Sequence, residues 1–157
     1  MSRNLFLDID GVLADFDGGF RAITGLFPDE FEHAHGKGAF WKTVAKSGDF
    51  YFKLDLLPGA MAMVDAVRHL SPTLLTGLPI GNWAAPQKVR WAKKHFPELE
   101  IITCMARDKW QYGRPGDVLV DDSLRAREPW EEQAGGTFIL HETPEKSLAS
   151  LADYFDL

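Results

Sequence analysis

Five short apolar runs, NLFLD at 4–8, TLLT at 73–76, IIT at 101–103, VLVD at 118–121 and TFIL at 137–140, constrain the fold more than any other feature of this chain. They lack the strict apolar–polar alternation of a half-exposed strand, so each reads as a strand covered on both faces, as strands of parallel sheets are. The segments between them carry helical spacing. After Pro58, the residues Met63, Ala66, Val67 and Leu70 fall at i, i+3, i+4 and i+7, and Val89, Ala92 and Phe96 make a similar stripe after Pro86. Thr143 and Pro144 supply a cap and first turn for a last helix whose apolar face is Leu148, Leu151, Ala152 and Phe155. Strands and helices in alternation predict an α/β fold, a doubly wound five-stranded parallel sheet.

One stretch breaks the rhythm. Residues 17–56 hold no strand-like run but many aromatics, and they read as a small helical cap insertion after the first strand, with 1–16 and 57–157 forming the α/β core. Ligands of doubly wound sheets bind outside the carboxyl ends of the strands, so an insertion at this point would lie over them as a lid. A chain of 157 residues suits one domain with such an insertion. It can bury about 68–70% of its unfolded surface without help from a disulfide or structural metal. Its single cysteine, Cys104, rules out an internal disulfide and the spacings of a zinc site, and points to a reducing, cytoplasmic setting. An aspartate at position 8 interrupts any signal-peptide-like start, and no apolar run is long enough to span a bilayer, so neither export nor membrane insertion is expected. Seventeen Lys+Arg against 23 Asp+Glu give a net charge of −6, the wrong sign for a nucleic-acid polymer. A small phosphorylated metabolite needs only a few local cations. Association into a homodimer is left open.

Polar residues collect at the ends of three predicted strands: Asp8 with Asp10, Thr76, and Asp121 with Asp122. The fold brings such ends together. At about 5 Å and an effective dielectric near 20, each like-charged pair costs about 3 kcal/mol, so the cluster calls for a cation. Hard carboxylate oxygens without histidine or cysteine favour Mg²⁺, which keeps waters and takes a substrate phosphate oxygen, and Lys109 adds further positive charge. The matching chemistry is phosphoryl transfer through a covalent intermediate, one aspartate attacking phosphorus and another protonating the leaving oxygen. Asp8 and Asp10 project to one side of an extended chain, and Gly11 lets the backbone turn closely past a phosphate. Mg²⁺, Lys109 and the Thr76 hydroxyl would stabilise the charge of the transferring group.

DIDGVLADF at 8–16, LLTG at 74–77, Lys109 and LVDD at 119–122 resemble the four motifs of the haloacid dehalogenase (HAD) superfamily of phosphatases, whose core is Rossmann-like. The resemblance implies Asp8 as nucleophile, Asp10 as general acid and base, and Thr76, Gly77 and Lys109 as phosphate-binding residues. It also implies a Mg²⁺ site formed by Asp8, the main-chain carbonyl of Asp10, and Asp121 or Asp122. LADF at 13–16, FW at 40–41, LLPGA at 56–60, Lys88-x-x-Trp91, KHF at 94–96 and ARDK at 106–109 resemble the 5'(3')-deoxyribonucleotidase family along most of the chain. That likeness implies a nucleoside monophosphate as substrate, with Phe16, Phe40 and Trp41 stacking on the base and Lys88 near the phosphate. Two positions depart from it. Gly77 stands where the family usually has a hydroxyl residue, and Ser123 where it commonly has a basic one.

Plainer readings accompany several of these residues. Phe16, Phe40, Trp41, Phe50, Tyr51 and Phe52 suit the insertion's own core as well as a base platform. Lys88, Arg90, Lys93 and Lys94 read most simply as the solvated face of a helix. His33 and His35 have no recognisable third ligand, Cys104 reads as a small hydrophobe, and GKG at 36–38 lacks the spacing of a P-loop. Three alternatives remain: a phosphatase for a sugar or other metabolite phosphate, a phospho-accepting receiver-like switch, and a non-catalytic nucleotide-binding regulator. The order of motifs opposes the switch, because Lys109 precedes the last acidic pair and a second acid follows Asp8.

Overall fold

The computed structural model describes residues 2–157. Strands β1 (Leu5–Leu7), β2 (Thr73–Gly77), β3 (Ile101–Cys104), β4 (Val118–Asp121) and β5 (Thr137–Leu140) form one sheet in the order β3-β2-β1-β4-β5. Every pairing is parallel. The five expected strands are all present, and β1 lies at the centre with Phe6 opposite Thr73 on one side and Leu119 on the other.

Burial explains why the strands are mostly apolar on both faces. Leu5, Leu7, Leu74, Val118, Val120 and Ile139 face one core cluster, while Phe6, Leu75, Leu119 and Phe138 face another. Successive residues point to opposite sides, and both sides are covered. On the first face lie α4 (Ala60–Val67), α5 (Ala84–His95) and α6 (Pro144–Leu151), which contribute Met63, Val64, Val67, Trp91, Ala92 and Leu151. The second face is covered by a 3₁₀ segment at Ala106–Tyr112 and a short wide turn at Pro129–Gln133, whose Trp130 meets Phe6 edge to face at 5.4 Å. These are shorter than the helices of the first face.

Two expected stripes shift. Thr143 caps α6 by accepting a hydrogen bond from the Lys146 amide, but the helix ends at Leu151, which leaves Ala152 exposed. In α5 the buried line is Ala84, Lys88, Trp91 and Ala92, whereas Val89 is half-buried. Between β1 and α4 run α1 (Phe16–Thr24), α2 (Pro28–His35) and α3 (Lys37–Lys46). Phe20, Phe40, Val44, Phe50 and Tyr51 from this region join the first core cluster, so the helices are packed onto the sheet layer. Among the described residues no helix is long and apolar enough to cross a membrane.

Candidate active site

Asp8 directly follows β1, and its amide donates to the Val120 carbonyl at 2.9 Å. The central strand thereby delivers its first carboxylate beside the end of β4. The chain then turns tightly, with the Ile9 carbonyl accepting from the amides of Leu13 and Ala14 at 2.8 and 2.9 Å. Gly11 has a φ of 80°, and a Cβ there would lie 1.9 Å from Asp122 Oδ2. Glycine is required twice, by backbone conformation and by the neighbouring carboxylate.

Lys109, 5% exposed, reaches into this corner from the 3₁₀ segment. Its Nζ donates to Asp8 Oδ1 at 3.0 Å and to Asp121 Oδ2 at 2.8 Å, while Asp121 Oδ1 accepts from the Ser123 amide at 2.9 Å. Asp8, Asp121 and Asp122 each offer an oxygen within 4.8 Å of the others. Among the described residues this is the one group of three or more histidine, cysteine or acidic side chains so arranged.

The electrostatics reflect three carboxylates sharing one close lysine. Burial lifts the Asp8 carboxyl well above its ordinary range, Lys109 opposes this, and Asp121, Asp122 and Asp10 reinforce it. Asp122 is pushed up to about 6, by desolvation first, with a hydrogen bond to Asp8 opposing and Asp121 reinforcing. Burial alone would weaken the Lys109 ammonium, but Asp8 and Asp121 outweigh it and hold the lysine charged. The surplus of negative charge and the all-oxygen donor set fit a hard divalent cation such as Mg²⁺.

Lys88 corrects the sequence reading. It is not on the solvated face of α5 but 2% exposed, and its Nζ donates to Asp10 Oδ2 at 2.7 Å, Thr76 Oγ1 at 2.9 Å and the Gly77 carbonyl at 2.7 Å. Its position four residues after Ala84 and three before Trp91, on the buried line, was the available signal.

A cavity of about 950 Å³ opens over these strand ends. Asp8, Asp10, Gly77, Lys109, Asp121 and Asp122 line it, whereas Thr76 and Lys88, both buried, do not. Gly77 packs against the next segment, since a Cβ would come 2.8 Å from that of Ala106. This contact accounts for the missing hydroxyl residue. Two residues beyond Ser123, Arg125 lines the cavity, as does Arg107 of the ARDK motif. Neither was singled out from sequence.

The upper wall comes from residues between β1 and α4. Phe16, Phe40 and Trp41 all line it, but differently. Phe40 is 5% exposed and stacks on Phe20 at 4.7 Å, so most of its surface belongs to the helices' own packing. Phe16 is half-buried, with Phe50 edge-on at 5.2 Å, and Trp41 is 40% exposed. Tyr51, one of the aromatics read as either core or base platform, also lines the wall and packs its ring 4.4 Å from Lys88 Nζ. His33 and His35 are exposed on α2.

No family profile matches the chain. Solved structures share its fold: a HAD-superfamily hydrolase from Ehrlichia chaffeensis superposes with a TM-score of 0.58 at 12% identity, covering 98% of each chain. A magnesium-bound HAD-hydrolase from Bacillus subtilis gives 0.57 at 14% identity over 88% of this chain and 87% of its own. The parallel sheet with flanking helices is that of the HAD-like hydrolases. Among curated proteins, the mitochondrial 5'(3')-deoxyribonucleotidase of Mus musculus is 30% identical over 155 residues, covering 81% of this chain and 70% of the relative. The cytosolic human form is 28% identical over 149 residues, covering 80% and 73%. The chain belongs to the 5'(3')-deoxyribonucleotidase family, within the phosphoric monoester hydrolases.

Proposed function

We propose that the protein is a Mg²⁺-dependent phosphomonoesterase that works through an aspartyl-phosphate and acts on nucleoside monophosphates. The observation that carries this reading is Lys109 bridging Asp8 and Asp121, with Asp122 alongside, at the floor of a cavity on the carboxyl edge of the sheet. Asp8, Asp121 and Asp122, with the Asp10 carbonyl, would hold the ion, which when bound neutralises the carboxylates and the phosphoryl oxygens.

Asp8 attacks phosphorus and forms the acyl phosphate as the ester P–O bond breaks. Asp10 gives its proton to the departing oxygen, then takes one from the water that attacks phosphorus and releases Asp8. Lys109 holds Asp8 in place and offsets charge on the equatorial oxygens, with Arg107 and Arg125 adding cations at the wall. Residues 17–56 act as a cap over a core of 1–16 and 57–157, with Trp41 and Phe16 as the stacking surface for a base. Lid movement would admit water for the second step.

One observation favours a second substrate class. The wall from α1 and α2 presents Asp17, Asp29 and Glu32 and, among the described residues lining it, no lysine or arginine. A leaving group rich in hydrogen-bond donors, such as an amino sugar, would suit it.

Phosphate release from deoxy- and ribonucleoside monophosphates and from sugar phosphates, with Mg²⁺ or with EDTA, tests both. Metal-dependent release selective for a nucleotide supports the proposal. Release from another ester alone moves the substrate, and equal release by Asp8→Asn removes the mechanism.

A further inference from the structure

We propose that Lys88 is a positioning residue that holds Asp10 in the orientation from which it serves the leaving group, and so sets how well the enzyme cleaves esters with poor leaving groups. The inference rests on the reading above that Asp10 is the acid.

Lys88 has three ammonium hydrogens and three acceptors, Asp10 Oδ2, Thr76 Oγ1 and the Gly77 carbonyl, all within 2.9 Å. No donor is left over for a phosphate, and the side chain does not reach the cavity surface. The Tyr51 ring closes another side, and the Tyr51 amide donates to Gln87 Oε1 at 2.9 Å, which seats the aromatic beside α5. A buried ammonium is tolerated only when it is fully paired, so Asp10 and Lys88 constrain one another.

The consequence falls on Asp10. Its Oδ2 is fixed, while Oδ1 is enclosed and has no hydrogen-bond partner among the described residues. Asp10 lines the cavity and Lys88 does not, so the lysine works through the carboxyl. Thr76 Oγ1 accepts from the same ammonium, which turns its own hydrogen away from Lys88. A single buried charge thus orients Asp10 at the cavity and the Thr76 hydroxyl behind it.

The test separates positioning from general damage by leaving group. A p-nitrophenolate departs without a proton, whereas a nucleoside hydroxyl must receive one from Asp10. In single-turnover measurements Lys88→Met should keep the p-nitrophenol burst within about threefold while release from a nucleoside or sugar monophosphate falls about 100-fold. In an Asp10→Asn background, Lys88→Met should cause no further loss. Lys93→Met, on the exposed face of the same helix, should leave both rates unchanged. Equal losses on both ester types, or full additivity with Asp10→Asn, would overturn the proposal. Should Lys88→Met fold poorly, Lys88→Gln serves the same comparison.

A crystal structure of either variant decides the point without turnover. Displacement of the Asp10 carboxylate supports positioning, and an unmoved Asp10 overturns it. If the unmodified enzyme shows no metal-dependent burst from any ester, the phosphatase reading fails instead, and the structure still answers for Lys88.

Discussion

At the floor of the cavity Lys109 donates to the buried Asp8 and Asp121 at 3.0 and 2.8 Å, and behind it the buried Lys88 donates to Asp10 at 2.7 Å. At the roof, Trp41 is 40% exposed, none of the eight residues of α2 is buried, and Ile23 and Phe27 are exposed. Floor residues sit at or beside strand ends whose register is fixed on both sides of β1. Roof residues sit on short helices, of which α1 and α3 bury Phe20, Phe40 and Val44 in the core and α2 buries none. Under the proposed function, reaction would fall to the buried floor and selection to the more exposed roof, where local opening is least costly.

The largest break in this comparison is expected at the floor. Asp8→Asn should lower turnover on every ester on the order of 10⁵-fold without unfolding the protein, measured as phosphate release beside a thermal melt. Retained activity would dismiss the nucleophile. Next comes the roof's own packing: Phe40→Ala should cost about 3–5 kcal/mol in denaturant unfolding, since Phe40 contacts Phe16, Phe20, Phe31 and Trp41. A loss below about 1 kcal/mol would mean the roof does not share the core's cooperativity.

A smaller effect concerns protons at the floor. Because folding raises the Asp8 and Asp122 carboxyls, the folded state binds protons more tightly than the unfolded chain. The resulting stabilisation is complete below the ordinary carboxylate range and is lost as the pH rises through about 6 for Asp122. The melting temperature of EDTA-treated protein should therefore fall between about pH 4 and pH 6, and the increment from added Mg²⁺ should grow across that interval. An increment independent of pH would place the metal elsewhere. The smallest effect belongs to the outer wall: Trp41→Ala should raise KM for a nucleotide roughly fivefold, about 1 kcal/mol of stacking, with kcat nearly unchanged. No change in KM would leave Trp41 without a role in binding.

The same division governs what the sequence could reveal. The strands were readable because two-sided burial leaves an apolar run, and the acidic residues because they fall at the ends of those runs. Lys88 was obscured by neighbouring charges, since its burial depends on Asp10, Thr76 and Tyr51, none of which is near it in the chain. The wall residues Arg107 and Arg125 carry no local pattern, because a cavity is defined by tertiary approach. Phe40 and Trp41 are adjacent and chemically alike, yet one is enclosed and the other open. Only the crossing of α3 with its neighbours decides between them.

β1 precedes the other four strands in the chain and stands in the middle of the sheet, flanked by strands that begin at Thr73 and Val118. During synthesis the helices α1 to α3 can find local partners long before β1 can be sandwiched. Asp8 is therefore made early, but Lys109 can join it to Asp121 only when β4 docks. If the proposed function holds, hydrolytic competence would be a late event in biogenesis, and a product cut short before Asp121 would be inert instead of indiscriminate.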